Sequence, residues 1–192
     1  SFNFHGGWRA LDSIVLPTDG ETLAIQVGAG RSHGTDASSG FYGRTYGRLT
    51  VYRPLGRTWY GQARLELGRV FLRSDMVVPE SHKWRVGGDD SVRGYSYRSL
   101  GPQVDGAVGS GITMMTGSLE LARPISASMP SLWGAMFVDI GNAANSLRAL
   151  KPAWGAGVGI RWRSPVGPLR LDWAYGREAR SARLHFSVGI AF

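Results

Sequence analysis

The 192-residue sequence has no cysteine, so no disulfide staples the fold, a composition that suits an envelope protein. It also has no apolar run near the roughly 18 residues that a transmembrane helix needs, which excludes a helical membrane protein. Lysine is almost missing: Lys83 and Lys151 are the only lysines among 22 basic residues. A solvated nucleic-acid surface mixes Lys with Arg in clusters, whereas here the arginines stand singly, often at every second position, which argues against a nucleic-acid partner. The chain opens on Ser1 rather than methionine and shows no signal-peptide pattern, so it is expected to begin a mature chain or a fragment. The four histidines, His5, His33, His82 and His185, show no metal-ligand spacing, and no metal is expected.

Glycine and aromatics are plentiful. The 28 glycines would each cost a helix interior about 1 kcal/mol, which disfavours an ordinary helical domain. Seven Trp, seven Tyr and seven Phe bury too much area for a disordered chain. A β-protein remains, and its net charge of +8 has to be placed within it.

The hydrophobic period is 2. Leu184, Phe186, Val188, Ile190 and Phe192 share one face, and Arg183, His185, Ser187 and Gly189 the other. Leu169, Leu171, Trp173 and Tyr175 alternate with Arg170, Asp172, Ala174 and Gly176; Trp154, Ala156, Val158, Ile160 and Trp162 alternate with Gly155, Gly157, Gly159, Arg161 and Arg163. The same pattern predicts strands over 2–11, 21–30, 43–53, 58–70, 112–123 and 132–140, nine in all. The 132–140 strand is apolar on both faces, so the pattern does not orient it. Lengths of about 9–11 residues suit a tilted bilayer crossing, while soluble strands run about 5–6. Trp8, Trp59, Trp133, Trp154 and Trp162 stand at strand ends, as interfacial girdles do.

Connections alternate between short Pro/Gly turns (Arg53–Gly56, Ser164–Pro168) and longer polar loops (Arg31–Gly40, Phe71–Gly111, Gly141–Lys151). Short turns at one end and long loops at the other describe an outer-membrane barrel, with apolar residues toward lipid and the arginines in a wet lumen. Single-chain bacterial barrels have an even number of strands, and an open edge in lipid is costly. Nine strands therefore mean a miscount by one or part of a larger barrel, and the second is favoured.

The connection over about 71–111 is too long for an ordinary loop. It contains Gly87-Gly88-Asp89-Asp90-Ser91-Val92-Arg93-Gly94-Tyr95. This resembles the Val-Arg-Gly-Phe/Tyr loop of the outer-membrane insertase superfamily, the family of BamA, TamA and the two-partner secretion transporters. Gly117–Leu121 followed by Pro124, Phe137–Gly141, Gly155–Trp162 with the Ser164–Pro168 turn, and Leu16–Gly20 resemble further family segments in the same order. The form of the loop looks closest to the TamA branch.

The resemblance implies an all-β fold, an antiparallel transmembrane barrel of which residues 1–192 form about nine of sixteen strands. The long extracellular loop folds inward, and the final strand spans about 182–192. It implies that Val92, Arg93, Gly94 and Tyr95 form the loop motif and that Arg93 meets Glu120 and Asp139. The pattern agrees in one respect: Glu120 shares a face with Ser118, opposite Leu119 and Leu121, and so points into the lumen. Gly155, Gly157 and Gly159 have strand period rather than a nucleotide fingerprint; they are read as a bare surface for the returning loop tip near Gly94, or as a means of bending the barrel. Gly189 and Phe192 would belong to the terminal strand at a weak seam, through which client outer-membrane or secreted proteins are inserted by strand pairing, with local bilayer thinning. The implied partners are outer-membrane lipids, client proteins and an inner-membrane-anchored TamB-type protein met through periplasmic domains outside this chain. The location is the bacterial outer membrane, and no cofactor or catalytic activity is implied. The alternatives are the barrel of a related secretion transporter or surface lipase, a passive pore, or an outer-membrane hydrolase using Asp172 and His185 on adjacent lumenal faces.

Overall fold

The computed structural model describes residues 1–14, 16–32, 39–73, 78–164 and 167–188. Nine long strands form one antiparallel sheet: β1 (Phe2–Leu11), β2 (Gly20–Ser32), β3 (Gly40–Leu55), β4 (Trp59–Phe71), β7 (Thr113–Ser126), β8 (Met129–Ala144), β9 (Ala153–Ser164), β10 (Gly167–Gly176) and β11 (Ser181–Val188). Two two-residue strands, β5 (Gln103–Val104) and β6 (Ala107–Val108), make a small hairpin inside the loop between β4 and β7. Each long strand pairs with its sequence neighbour, so the sheet order follows the chain. Among the described residues, β1 pairs only with β2 and β11 only with β10; the sheet is open.

Alternation fixes which face is which. Trp8, Leu23, Leu49, Leu65, Gly117, Ile140 and Trp154 stand in successive register across six strand pairs and make an apolar belt on the outer face. Leu119 on that face is 66 % exposed, as a lipid-facing residue in the middle of a strand should be. β8, which its pattern did not orient, turns Trp133, Ala135, Phe137 and Asp139 inward and Met136 and Val138 outward. Trp8, Trp154 and Trp162 are exposed at the outer face as expected. Trp133 corrects the girdle assignment: it is buried on the inner face against Tyr60, with the Arg163 guanidinium 4.5 Å from its ring centroid.

β1 keeps its predicted bounds and β4 shifts by one residue, but β2, β3, β7 and β8 are longer than the alternation predicts, because cross-strand pairing carries polar and Pro-containing ends into the sheet. Pro54 and Leu55 pair with Tyr60 and Trp59, so the β3–β4 turn shrinks to Gly56–Thr58; Gly141 lies within β8 rather than in a loop. Pro165 and Val166, called as a turn, lie outside the described residues, as do His33, Gly189 and Phe192. Two connections depart from the long-and-short scheme. β10 and β11 are joined on the loop side by only Arg177–Arg180, and the turn-side link between β1 and β2 is longer than the other turns. In that link the Asp12 carboxylate accepts hydrogen bonds from the Thr18 N–H (2.9 Å), the Asp19 N–H (3.1 Å) and the Thr18 hydroxyl. These bonds, chiefly the hydroxyl's, hold the Asp12 carboxyl down at about 2.

The buried apolar residues gather between the concave face and the β4–β7 loop. Val86, Val92 and Tyr95 of the loop pack with Met114, Ala143 and Ala153 of the sheet. A second cluster joins Val78 to Tyr42 and Val70. The loop is thus one half of the core, and the sheet the other. If the outer belt faces lipid, Leu119→Arg in the full-length protein should lower stability by about 2–4 kcal/mol. Gln26→Arg on the lumenal face should stay within about 1 kcal/mol. Urea titrations in lipid vesicles measure both.

Candidate functional site: the Arg93 clamp

The site is built from strand register. Across the concave face runs a row of paired residues, Thr50, Arg64, Ser118, Asp139, Gly155 and Gly176. A second row holds Gln62, Glu120, Phe137, Gly157 and Ala174, and a third Ala135, Gly159, Asp172 and His185. The first row ends in two adjacent glycines, a strip of bare backbone beside Asp139. The backbone of Arg93 and Gly94 lies on that strip. A Cβ at Gly155 would collide with the Arg93 carbonyl oxygen, and a Cβ at Gly176 would stand 2.6 Å from the Gly94 oxygen. Gly94 itself has φ +92°, in the region where a side chain is strained, and any side chain there would also meet the Gly176 backbone.

With the backbone so close, the Arg93 side chain reaches acids on three strands. Its Nε and one terminal nitrogen make a two-pronged contact with Asp139 at 2.7 and 2.9 Å, and its backbone N–H donates to the same carboxylate at 3.0 Å. The other terminal nitrogen donates to Glu120 and Asp172, both at 3.0 Å. The guanidinium lies over the Phe137 ring, 3.3 Å from its centroid. Arg161 completes the cluster: it donates to both Glu120 oxygens at 3.0 and 2.7 Å and to Asp172 at 2.5 Å. Arg93 is 6 % exposed and Asp139 fully buried. Burial opposes the Arg93 charge, but Asp139, Glu120 and Asp172 outweigh it and raise its pKa. Guanidinium suits this place because its planar fork meets several carboxylates at once, which an ammonium does not.

The rest of the motif is anchored on either side. Val92 is wholly buried in the core. The Gly94 N–H donates to Nε2 of His185 at 2.9 Å, so Nε2 carries the lone pair; Nδ1 bears the proton and faces the Asp89 carboxylate. The Tyr95 hydroxyl bonds to the Glu178 carboxylate and stands 3.0 Å from the Trp154 carbonyl oxygen. Burial, and then the bond to Glu178, push the Tyr95 phenol up to about 12.

Each loop-motif, lumenal and glycine residue singled out from the sequence therefore has a definite place; Gly189 and Phe192 of the terminal strand lie outside the described residues. Arg93, Glu120 and Asp139 stand together. Of the three glycines, only Gly155 touches the loop backbone. Gly157 makes room for the Phe137 ring, and Gly159 for Asp172 and Arg161; the seat of Gly94 is Gly176. Asp172 and His185, the hydrolase pair, are both occupied: the carboxylate by two arginines, the imidazole by Gly94 and Asp89. Sequence reasoning missed Arg161, Gly176, Asp89 and Glu178. The inward faces of Arg161 and Gly176 were legible, but no pattern shows which inward residues share a row. Among the described residues no group of His, Asp and Glu could hold a metal ion.

Comparison with known proteins gives four matches of interest. A family model described as the Omp85 superfamily domain matches residues 1–192. The outer membrane protein assembly factor BamA of Nitratidesulfovibrio vulgaris is 31 % identical over 158 residues, 74 % of this chain and 19 % of that protein. The chloroplastic outer envelope protein 80 of Arabidopsis thaliana is 37 % identical over 116 residues, 55 % of this chain and 14 % of that protein. The crystal structure of BamA from Haemophilus ducreyi lacking POTRA domains 1–3 superposes with a TM-score of 0.77 at 23 % identity, covering 100 % of this chain and 42 % of that one; it is a likeness of fold. The chain spans less than a fifth of the length of either of these sequence relatives.

The seat makes a direct prediction. Gly155→Val puts a side chain where the Arg93 carbonyl lies, so the loop should lift and limited proteolysis should cut within residues 72–112 far faster than in wild type. Gly157→Val, which leaves Gly155 and Gly176 bare, should expose the loop less.

Proposed function

The chain belongs to the Omp85 superfamily, and from that premise we propose that it is the C-terminal part of the barrel of an outer-membrane assembly or translocation factor. Client outer-membrane or secreted proteins would enter the membrane through a lateral seam, pairing with an exposed strand edge. The observation that carries this reading is the Arg93 clamp: a long loop held inside the barrel against β7, β8, β10 and β11. A loop folded onto the lumenal face narrows the path that a passive pore keeps open. A factor that must hold its barrel in shape while one edge opens has a use for such a loop.

β11 has one strand partner among the described residues, so its far edge offers a row of N–H and C=O groups to an incoming strand. Gly189 and Phe192 extend this terminal strand in the proposal. The edge is not free of the loop, since His185 of β11 holds both Gly94 and Asp89. Loop and seam are thereby coupled through one imidazole. The process uses hydrogen-bond exchange and apolar burial, so it needs no nucleotide, metal or catalytic centre. Outer-membrane lipids contact the apolar belt. The assembly-factor name of the BamA relative supports the bacterial outer membrane as the location, within a superfamily match that also brings a chloroplast envelope protein. The Gly87–Tyr95 form favours the TamA branch, with a TamB-type partner met through periplasmic domains outside this chain.

Two outcomes test the reading in the full-length protein. Arg93→Ala leaves three buried carboxylates with one arginine; losing one member of such a group costs about 3–5 kcal/mol. The loop should become protease-sensitive and client assembly should fall, while the barrel still fractionates with the outer membrane. Wild-type protease resistance in this variant would refute the clamp. His185→Ala should raise hydrogen exchange in β11 while the Arg93 contacts keep the loop docked; unchanged exchange would remove the coupling.

A further inference from the structure

Below the clamp, at the short-turn end of the sheet, the concave face holds a second feature that shares only Glu120 and Arg161 with it. A cavity of about 550 Å³ opens between the β1–β2 turn and the ends of β3, β4, β9 and β10. Five arginines line it, Arg9, Arg48, Arg161, Arg163 and Arg170, against one carboxylate, Glu120. Both Glu120 oxygens are already bound by Arg161, and one of them also by Arg93.

The arginines differ in what they hold. Arg48 has Glu66, and Arg161 has Glu120 and Asp172. Arg163 donates to the Leu16 carbonyl at 2.7 Å and stacks over Trp133; the Asp12 carboxylate acts on it from a distance, but no salt bridge joins them. Arg170 makes no hydrogen bond or salt bridge among the described residues; it acts from a distance on Glu120, which Arg161 and Arg93 already bind, and it is half-buried directly across from Arg161 in the β9–β10 register. Like charges placed opposite one another on one sheet face repel. Five arginines against one carboxylate give the cavity an excess of positive charge, whose field draws in an anion.

We propose that this chamber binds an extended polypeptide segment carrying carboxylates at alternate residues. Three features specify that ligand. Arg163 and Arg170 are diagonal neighbours on one face, since Arg163 pairs with Pro168 and Arg170 with Arg161; such neighbours lie roughly 7–8 Å apart. Alternate side chains of an extended peptide repeat at about 6.6–6.8 Å, so two acids separated by one residue reach both guanidinium groups. Guanidinium forks match carboxylates in shape as well as charge. Beside them, Tyr52 and Tyr60 offer flat apolar surface and Gln62 offers hydrogen bonds to a peptide backbone and its intervening side chain. The cavity lies on the lumenal face, separated from the lipid-facing belt by the sheet, which places a polypeptide there rather than a lipid headgroup. The inference rests on the proposed assembly role in one respect: a client segment on the turn side would be what supplies the peptide.

The test is a fluorescence-anisotropy titration of the full-length protein in lipid nanodiscs. The probe is a labelled extended peptide with Asp at alternate positions; the same peptide with Lys at those positions and inorganic phosphate are the comparisons. The Asp peptide should bind with an affinity that falls as salt rises, and the Lys peptide should not bind. Arg163→Gln together with Arg170→Gln should weaken binding at least tenfold while the loop keeps its wild-type protease resistance. Equal binding of both peptides, or undiminished binding in the double variant, overturns the proposal. So does displacement of the Asp peptide by phosphate at equimolar concentration, which would make the chamber a phosphate site. Binding is read without client assembly: a protein that assembles clients yet binds no Asp peptide refutes the chamber alone. Loss of the assembly role with peptide binding intact refutes the role and leaves the chamber standing.

Discussion

The structure depends on keeping one guanidinium group charged in a space that excludes most water. Arg93 is tolerated there because three carboxylates, a serine hydroxyl and an aromatic face surround it, each delivered by a different position in the strand register. A shift of any of β7, β8 or β10 by one residue would turn its acid toward lipid, because side chains alternate with period 2. The clamp therefore reports on, and enforces, the register of three strands together. The same constraint explains the glycines at Gly155 and Gly176: the arginine reaches its acids only if its own backbone rests on the sheet.

Much of the fold was legible in the sequence and less of the site. Nine strands, their inner and outer faces and the long intervening connection follow from alternation and turn residues. The inward direction of Glu120 follows from Leu119 and Leu121 on either side of it. β8 was not oriented, since Trp133, Ala135 and Phe137 are as apolar as Met136 and Val138 and only Asp139 marks the inner face. Strand ends were misplaced where pairing energy overrode Pro and Gly signals, as at Pro54. The family resemblance supplied the meeting of Arg93 with Glu120 and Asp139. It did not supply Asp172, Arg161 or Gly176. Those depend on a cross-strand register, which arises from hydrogen-bond pairing between segments and leaves no trace within either one.

The scarcity of lysine has its physical account in the same interior. Arg93 and Arg161 each use three nitrogens on carboxylates or hydroxyls, and Arg93, Arg44 and Arg163 also lie over aromatic rings. An ammonium offers a point charge without the planar fork, and a buried lysine gives up its proton more readily. The positive net charge is accordingly stored on the concave face as a set of oriented donors, some satisfied by the fold and some facing open space.

The separations along the chain carry a consequence in time. Arg93 precedes Glu120 by 27 residues, Asp139 by 46 and Asp172 by 79. Closing a longer loop costs more conformational entropy, though only logarithmically. The nearest acid is thus the cheapest to engage, and each later strand adds its carboxylate to an arginine already partly held. A sheet that lacks β7, β8 or β10 leaves Arg93 with an acid missing. The loop's docking thus depends on three strands that follow it in the chain.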